Sequence, residues 1–133
     1  MALQYSTELR NAQLDAIETV GGTSPVLKIR TGAAPANAAA ADSGTVLATL
    51  TLPSDWMAAA SSGSKAKSGT WEDTSADATG TAAHFRLYKS DGTTVVMQGT
   101  VGTSGTDMIV DNTSFAAGQA FTITGFTITA GNQ

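Results

Sequence analysis

From Val26 onward the chain is written in a period of two. A strand points successive side chains to opposite faces, so short runs that alternate apolar and polar residues between Gly, Pro, Asn, Asp and Ser specify half-buried strands. Residues 26–31 place Leu27 and Ile29 on one face and Lys28 and Arg30 on the other. Residues 46–52 repeat the pattern, with Val46, Ala48, Leu50 and Leu52 set against Thr49 and Thr51. Pro53 ends that strand because it has no N–H for a ladder. The clearest hairpin joins 82–88 to 94–101 through Lys89-Ser90-Asp91-Gly92, with Ala83, Phe85 and Leu87 facing one way and His84, Arg86 and Tyr88 the other. Weaker strand signals lie within 65–73 around Trp71 and within 107–111 at Met108 and Val110, with a polar turn at 74–80. In 121–129 the apolar residues change parity at Gly125. One unpaired extra residue there would return Phe121, Ile123, Phe126 and Ile128 to a single face, so a β-bulge is expected at Gly125.

Only the first segment has a helical period. Within residues 5–20, Leu9, Ala12, Ala16, Ile17 and Val20 share one face, and Glu8, Asn11, Asp15 and Glu18 lie opposite. Ser6 or Thr7 is the expected N-cap, Glu8 suits the positive end of the helix dipole, and Gly21-Gly22 supplies the stop. The apolar face is expected either to pack on the chain's own sheet or to dock on a neighbouring subunit. Residues 32–44 are rich in alanine, but Pro35 and the flanking glycines oppose a helix, and a long surface loop is expected. Residues 54–60 predict one helical turn capped by Ser54, followed by a flexible tract at 61–64. Trp56 in that connection reads as the plug of a sandwich end or as an exposed interface anchor.

A chain of 133 residues fits one core. The expectation is a single domain over 1–133, with a helical element at 1–22 and a β domain at 23–133. Its fold class is mainly β: an antiparallel β-sandwich or barrel of about seven strands with one N-terminal α-helix. Aromatic residues make up 6% of the chain and much of the apolar content is alanine, so the core is thin and self-association is the expected supplement.

Residues that perform chemistry are scarce: there is one histidine, His84, no cysteine, and carboxylates scattered among Gly, Thr and Ser. A nucleophile, a base and an orienting group are hard to assemble from these, so no enzyme activity, cofactor or small-molecule substrate is expected. His84 reads as solvent-exposed or packed on its hairpin beside Arg86. Glu72, Asp73 and Asp77 have the oxygen chemistry for calcium, but their spacing matches no calcium loop, and no metal is expected. The glycine-rich stretch at 99–105 does not open a helix, which a phosphate loop requires. A net charge of −4 opposes binding to nucleic acid. No apolar run approaches the roughly 20 residues of a membrane span, and the first residues lack the basic and apolar regions of a cleaved signal, so a soluble, non-secreted protein is expected.

Several stretches carry a resemblance. The opening Ala2-Leu3-Gln4-Tyr5-Ser6-Thr7-Glu8-Leu9-Arg10-Asn11-Ala12-Gln13-Leu14-Asp15-Ala16-Ile17 is one, and Lys28-Ile29-Arg30-Thr31-Gly32-Ala33-Ala34-Pro35-Ala36-Asn37 with Leu47-Ala48-Thr49-Leu50-Thr51-Leu52 is another. Asp77-Ala78-Thr79-Gly80-Thr81-Ala82, Phe85-Arg86-Leu87 and Phe126-Thr127-Ile128-Thr129-Ala130-Gly131-Asn132 follow the same impression. Over nearly the whole chain these resemble a family of small virion structural proteins of tailed bacteriophages. The resemblance implies a capsid decoration or cement protein, made in the host bacterial cytoplasm, that binds the major capsid protein on the outer surface of the virion; a homotrimer is the expected closed oligomer, since it would bury the apolar surface that a thin core leaves over. A tail fibre or baseplate component is the alternative the resemblance implies. The expected contact residues are Leu9 and Ile17 on the helix, Trp56, and Pro35 and Asn37 in the 32–44 loop.

Overall fold

The computed structural model describes residues 3–130. Their order is one helix, α1 (Thr7–Gly21), followed by β1 (Val26–Arg30), β2 (Val46–Thr51), β3 (Ser64–Ala66), β4 (Glu72–Asp73), β5 (Gly80–Thr81), β6 (His84–Tyr88), β7 (Val95–Gly102), β8 (Met108–Val110), β9 (Ser114–Phe115) and β10 (Phe121–Thr129). The protein is mainly β with one N-terminal helix, as the alternation predicts. The main sheet runs β2-β1-β6-β7-β8-β10-β3, with β4 also on β10, while β5 and β9 form a separate pair. The sheet curls around a core in which Trp56, Trp71, Phe126 and Phe85 form a continuous chain of rings at centroid separations of 6.1, 5.7 and 5.5 Å.

All pairings are antiparallel except β7 with β8, which is parallel through Val101↔Met108 and Gly102↔Ile109. Residues 103–107 make this possible by doubling back along β7. The Asp107 carboxylate accepts from the Thr100 N–H at 2.9 Å and from the Thr100 hydroxyl at 3.0 Å, so the chain re-enters beside the strand it has just left. The hairpin of β6 and β7 forms as expected, with Gly92 at φ 72° in its turn. The β8–β10 register slips between Ile123 and Gly125, which is the expected bulge, and Phe121, Ile123 and Phe126 all enter the core. A Cβ at Gly125 would meet nothing nearer than 3.6 Å, so the parity of the apolar residues sets the bulge and steric space does not.

Two local expectations are corrected. Residues 54–60 form no helical turn. Trp56 is drawn into the core with its Nε1–H donating to Gly22 O at 2.9 Å, and Met57 forms an isolated bridge to Lys67 instead. Residues 61–64 are a tight two-residue turn rather than a flexible tract: Ser61 and Ser64 exchange backbone hydrogen bonds of 2.8 and 2.9 Å, and Ser62 and Gly63 both have positive φ. The 65–73 segment divides into β3 and β4.

Candidate functional site

Ser6 caps α1, its hydroxyl accepting from the Leu9 N–H, and the helix ends at Gly22 with φ 75°. The buried face of the helix is not the expected one. Arg10, Leu14 and Gly21 are buried and Ile17 is half-buried against the core, while Leu9 is 45% and Val20 54% exposed. The reason is a buried cation on β3. Lys65 has no exposed side-chain surface, and its ammonium reaches Glu18 Oε1 at 2.6 Å, Asp15 Oδ1 at 2.7 Å and Ala58 O at 2.9 Å. A desolvated ammonium requires such partners. Burial pushes the Lys65 pKa down, yet the bonds and charges of Asp15 and Glu18 outweigh it and hold it above its ordinary value. In return the hydrogen bond from Lys65, with that from the Ala60 N–H, holds the Asp15 carboxyl below the usual range.

The helix therefore docks by a mixed face, with Leu14 and Ile17 turned inward beside polar anchors. Arg10 Nε donates to Ala130 O at 2.9 Å, and Asn11 Oδ1 accepts from the Gly63 N–H at 2.9 Å. Gly21 permits the close approach of Trp56, whose ring would lie 2.8 Å from a Cβ there. The opposite side, with Leu9, Ala12, Ala16 and Val20, faces outward. Beside Val20 a shallow groove of about 220 Å3 runs between the helix and Val96 of β7.

A second polar assembly lies beneath the 32–44 loop. Every residue of β6 is buried, including the expected wet side of His84, Arg86 and Tyr88, and Arg30 of β1 is buried beside them. Asp42 is the common partner. Its Oδ1 accepts from Arg86 Nη1 at 2.6 Å and from the Tyr88 hydroxyl at 2.7 Å, and its Oδ2 accepts from Arg30 Nη2 at 3.1 Å. Arg86 also donates to Asn37 O and to Gln98 Oε1, both at 3.0 Å, and the Gln98 amide donates to Pro35 O at 2.7 Å. Burial raises the Asp42 carboxyl pKa, but the bonds from Arg86 and Tyr88 and the two guanidinium charges outweigh it and hold it below 3.8. Burial and the bond to Asp42 push the Tyr88 phenol up. The loop is thus a clamped cover. His84 completes it from the side: its Nδ1 lies 2.7 Å from Gly32 O, an atom that only accepts, so the proton sits on Nδ1 and the buried Nε2 is left without a partner.

The expected contact residues separate accordingly. Leu9 is on the surface, while Ile17 is half-buried. Trp56 is a core plug with no exposed area, so it is unavailable as an anchor in this fold. Pro35 is half-buried over Gln98, and Asn37 is exposed with its Oδ1 capping the Ala39 and Ala40 N–H groups. Asp73 and Asp77 fasten their turn to β2, accepting from the Thr49 N–H at 3.1 Å and the Thr49 hydroxyl at 2.8 Å. Among the described residues no group of three or more His, Asp or Glu is placed to hold a metal ion, and no helix is long and apolar enough to cross a membrane. Sequence reasoning missed Asp42 and Lys65. Both lie far along the chain from the groups they hold, Lys65 50 residues from Asp15 and Asp42 44 residues from Arg86, so no local pattern marks them. Comparison with protein families, with curated proteins and with solved structures finds no match.

Proposed function

We propose that this chain is a bacteriophage virion structural protein: a non-enzymatic decoration or cement protein that binds the major capsid protein on the outside of the shell and self-associates there as a homotrimer. The observation that carries this reading is the orientation of the helix. Asp15 and Glu18 are spent on holding Lys65, and part of the aliphatic surface, with Leu9 at 45% and Val20 at 54% exposure, is turned to solvent, Val20 beside the Val96 groove. Exposed apolar surface of this kind suits contact with another protein. A cement protein acts in many copies, so modest contacts add through multivalency and closed symmetry. The motif resemblance supplies the virion context, and the clamped loop supports a rigid body that binds without changing shape.

The test is to image virions produced with and without the chain. Loss of surface knobs together with loss of resistance to heat or low salt is the expected result, and add-back of a Leu9→Ser/Val20→Ser variant should fail to restore either. Intact, equally resistant heads that fail to adsorb to the host would overturn decoration and assign the chain to the tail.

A further inference from the structure

Among the described residues the main sheet is interrupted between β7 and β10. β7 pairs with β6 along its length, but its other edge meets β8 only at Val101↔Met108 and Gly102↔Ile109. β10 meets β8 only as far as Phe126↔Met108, and residues 127–129 pair on their far side alone, with β3. Because β8 begins at Met108, residues 95–99 of β7 and 127–129 of β10 flank a gap with no described strand between them.

The hydrogen-bond alternation of antiparallel ladders shows which groups face that gap. The Val101 N–H donates to Ala83 O, so Val101, Gly99 and Met97 serve β6, and the N–H and C=O of Gln98 point away from it. On β10, Phe126 O accepts from the Lys67 N–H and the Ala130 N–H donates to Gly63 O, so the even-numbered residues serve β3 and Thr127 and Thr129 point the other way. Between the two edges lies an open groove of about 320 Å3, walled by Met97 and Gln98 on one side and Thr127 and Thr129 on the other. Phe85 and Phe126 also line it, and their rings meet edge to face at 5.5 Å. Asp107 lies at the end where β8 begins.

We propose that this groove is a strand acceptor, and that a second copy of the chain supplies the strand from the residues preceding α1. The inference deepens the self-assembly put forward above and rests on that reading for the identity of the partner. Three features fit this donor. Leu3 is 70% exposed, the largest exposure of any large apolar residue described. Residues 3–6 are non-helical, and Ser6 is held in the extended region at φ −64° and ψ 157°. Residues 3–5 would span about 10 Å as a strand, within the length of the free edge at 95–99. Seated in the gap, Leu3 and Tyr5 would lie over Phe85 and Phe126, with Gln4 outward beside Gln98. Main-chain bonds to two edges would supply affinity, and the aromatic floor would supply register.

The experiment is native mass spectrometry across a concentration series on the full chain, on a chain starting at Ser6, and on Thr129→Pro. Starting at Ser6 keeps the helix cap, and proline at 129 deletes an N–H that faces the gap while sparing the β3 ladder. The expected result is an oligomer for the full chain and monomers for both variants, each with unchanged circular dichroism. The peptide Met-Ala-Leu-Gln-Tyr-Ser should bind the shortened chain and not its Thr129→Pro form. If either folded variant assembles like the full chain, the acceptor is overturned while self-assembly stands. A full chain that is monomeric throughout overturns both, and if its shortened form nevertheless binds the peptide, the arm occupies its own groove and the exchange between copies is disproved.

Discussion

Replacing Asp42 by Asn tests whether one carboxylate holds the 32–44 loop on the sheet. The substitution keeps the size and one acceptor but removes the charge shared by Arg86 at 2.6 Å, Arg30 at 3.1 Å and the Tyr88 hydroxyl at 2.7 Å. Removing one partner of a buried ion pair costs about 3–5 kcal/mol, because the remaining charge stays desolvated. The Arg86 and Arg30 side chains are 1% and 8% exposed, so both lose their counter-ion where water cannot replace it. Two facts reduce the figure. The Asp42 side chain is itself 42% exposed, so solvent already screens part of the interaction. Arg86 also keeps its bonds to Asn37 O and Gln98 Oε1. A loss of about 2–3 kcal/mol follows, which for a domain of this size lowers Tm by roughly 6–9 °C. Thermal unfolding by circular dichroism measures the global change. Hydrogen exchange at the Ala40 amide, which bonds Asn37 O at 3.1 Å, reports on the loop itself. If Asp42→Asn shifts Tm by less than about 2 °C and leaves exchange in 32–44 unchanged, the clamp is decorative and the reasoning fails.

Two further outcomes follow from the same energetics. Gly63→Ala combines a φ of 73° with a Cβ placed 2.2 Å from the buried Arg10 guanidinium, whereas Gly22→Ala has φ 75° and open space around it. Urea unfolding should therefore give a loss of about 1–3 kcal/mol for Gly22→Ala, whose φ of 75° with ψ of −161° is a region essentially only glycine adopts, and a loss for Gly63→Ala in which left-handed strain and the displacement of Arg10 add. The carboxyls of Asp15 and Asp42 are held below 3.8, so their stabilisation is complete above that value and is lost as pH falls through their folded values. Tm should drop as pH is lowered from about 4 towards 2, and less steeply in Asp42→Asn; identical slopes would contradict the assignment. Lys65 is raised above 10.5, so its contribution is intact on the acid side and adds nothing to that slope.

The strands, the hairpin, the bulge at Gly125 and the Ser6 cap were legible because each depends on residues within a few positions of one another. What was illegible is which face is wet. Asp15 and Glu18 look solvated because no cation lies near them in sequence, and the one they hold, Lys65, is 50 residues from Asp15. His84, Arg86 and Tyr88 alternate with Phe85 and Leu87 like the outer face of an ordinary hairpin strand. Their cover is a loop whose anchor, Asp42, lies 44 residues from Arg86. Alternation reports that two faces differ in polarity, and it carries no information about whether the polar one is roofed. For Trp56 the sequence offered a plug and an interface anchor as alternatives, and the plug is what forms; the choice between them was hidden because its close packing depends on Gly21, one small residue at the end of a helix whose docking face was itself hidden.

Both hidden contacts draw cations inward, and this changes the field the molecule presents. Of seven basic residues, Arg10, Arg30, Lys65 and Arg86 are buried, so Lys28, Lys67 and Lys89 alone offer positive charge near the surface. Nine of the eleven carboxylates are exposed. The surface is thus more acidic than the net charge of −4 conveys, and two copies approaching each other repel. The contacts proposed between copies, the Leu9–Val20 helix face and a strand seated in the β7–β10 gap, are apolar and main-chain in character and are not weakened when charges are screened. Raising ionic strength from about 0.01 M to 0.15 M shortens the Debye length from roughly 30 Å to 8 Å, which removes most of the repulsion and leaves those contacts intact. Self-association should therefore tighten with salt, as sedimentation velocity would show. An assembly that loosened over the same range would instead be held by ion pairs between copies, and the contact surfaces proposed for this chain would be wrong.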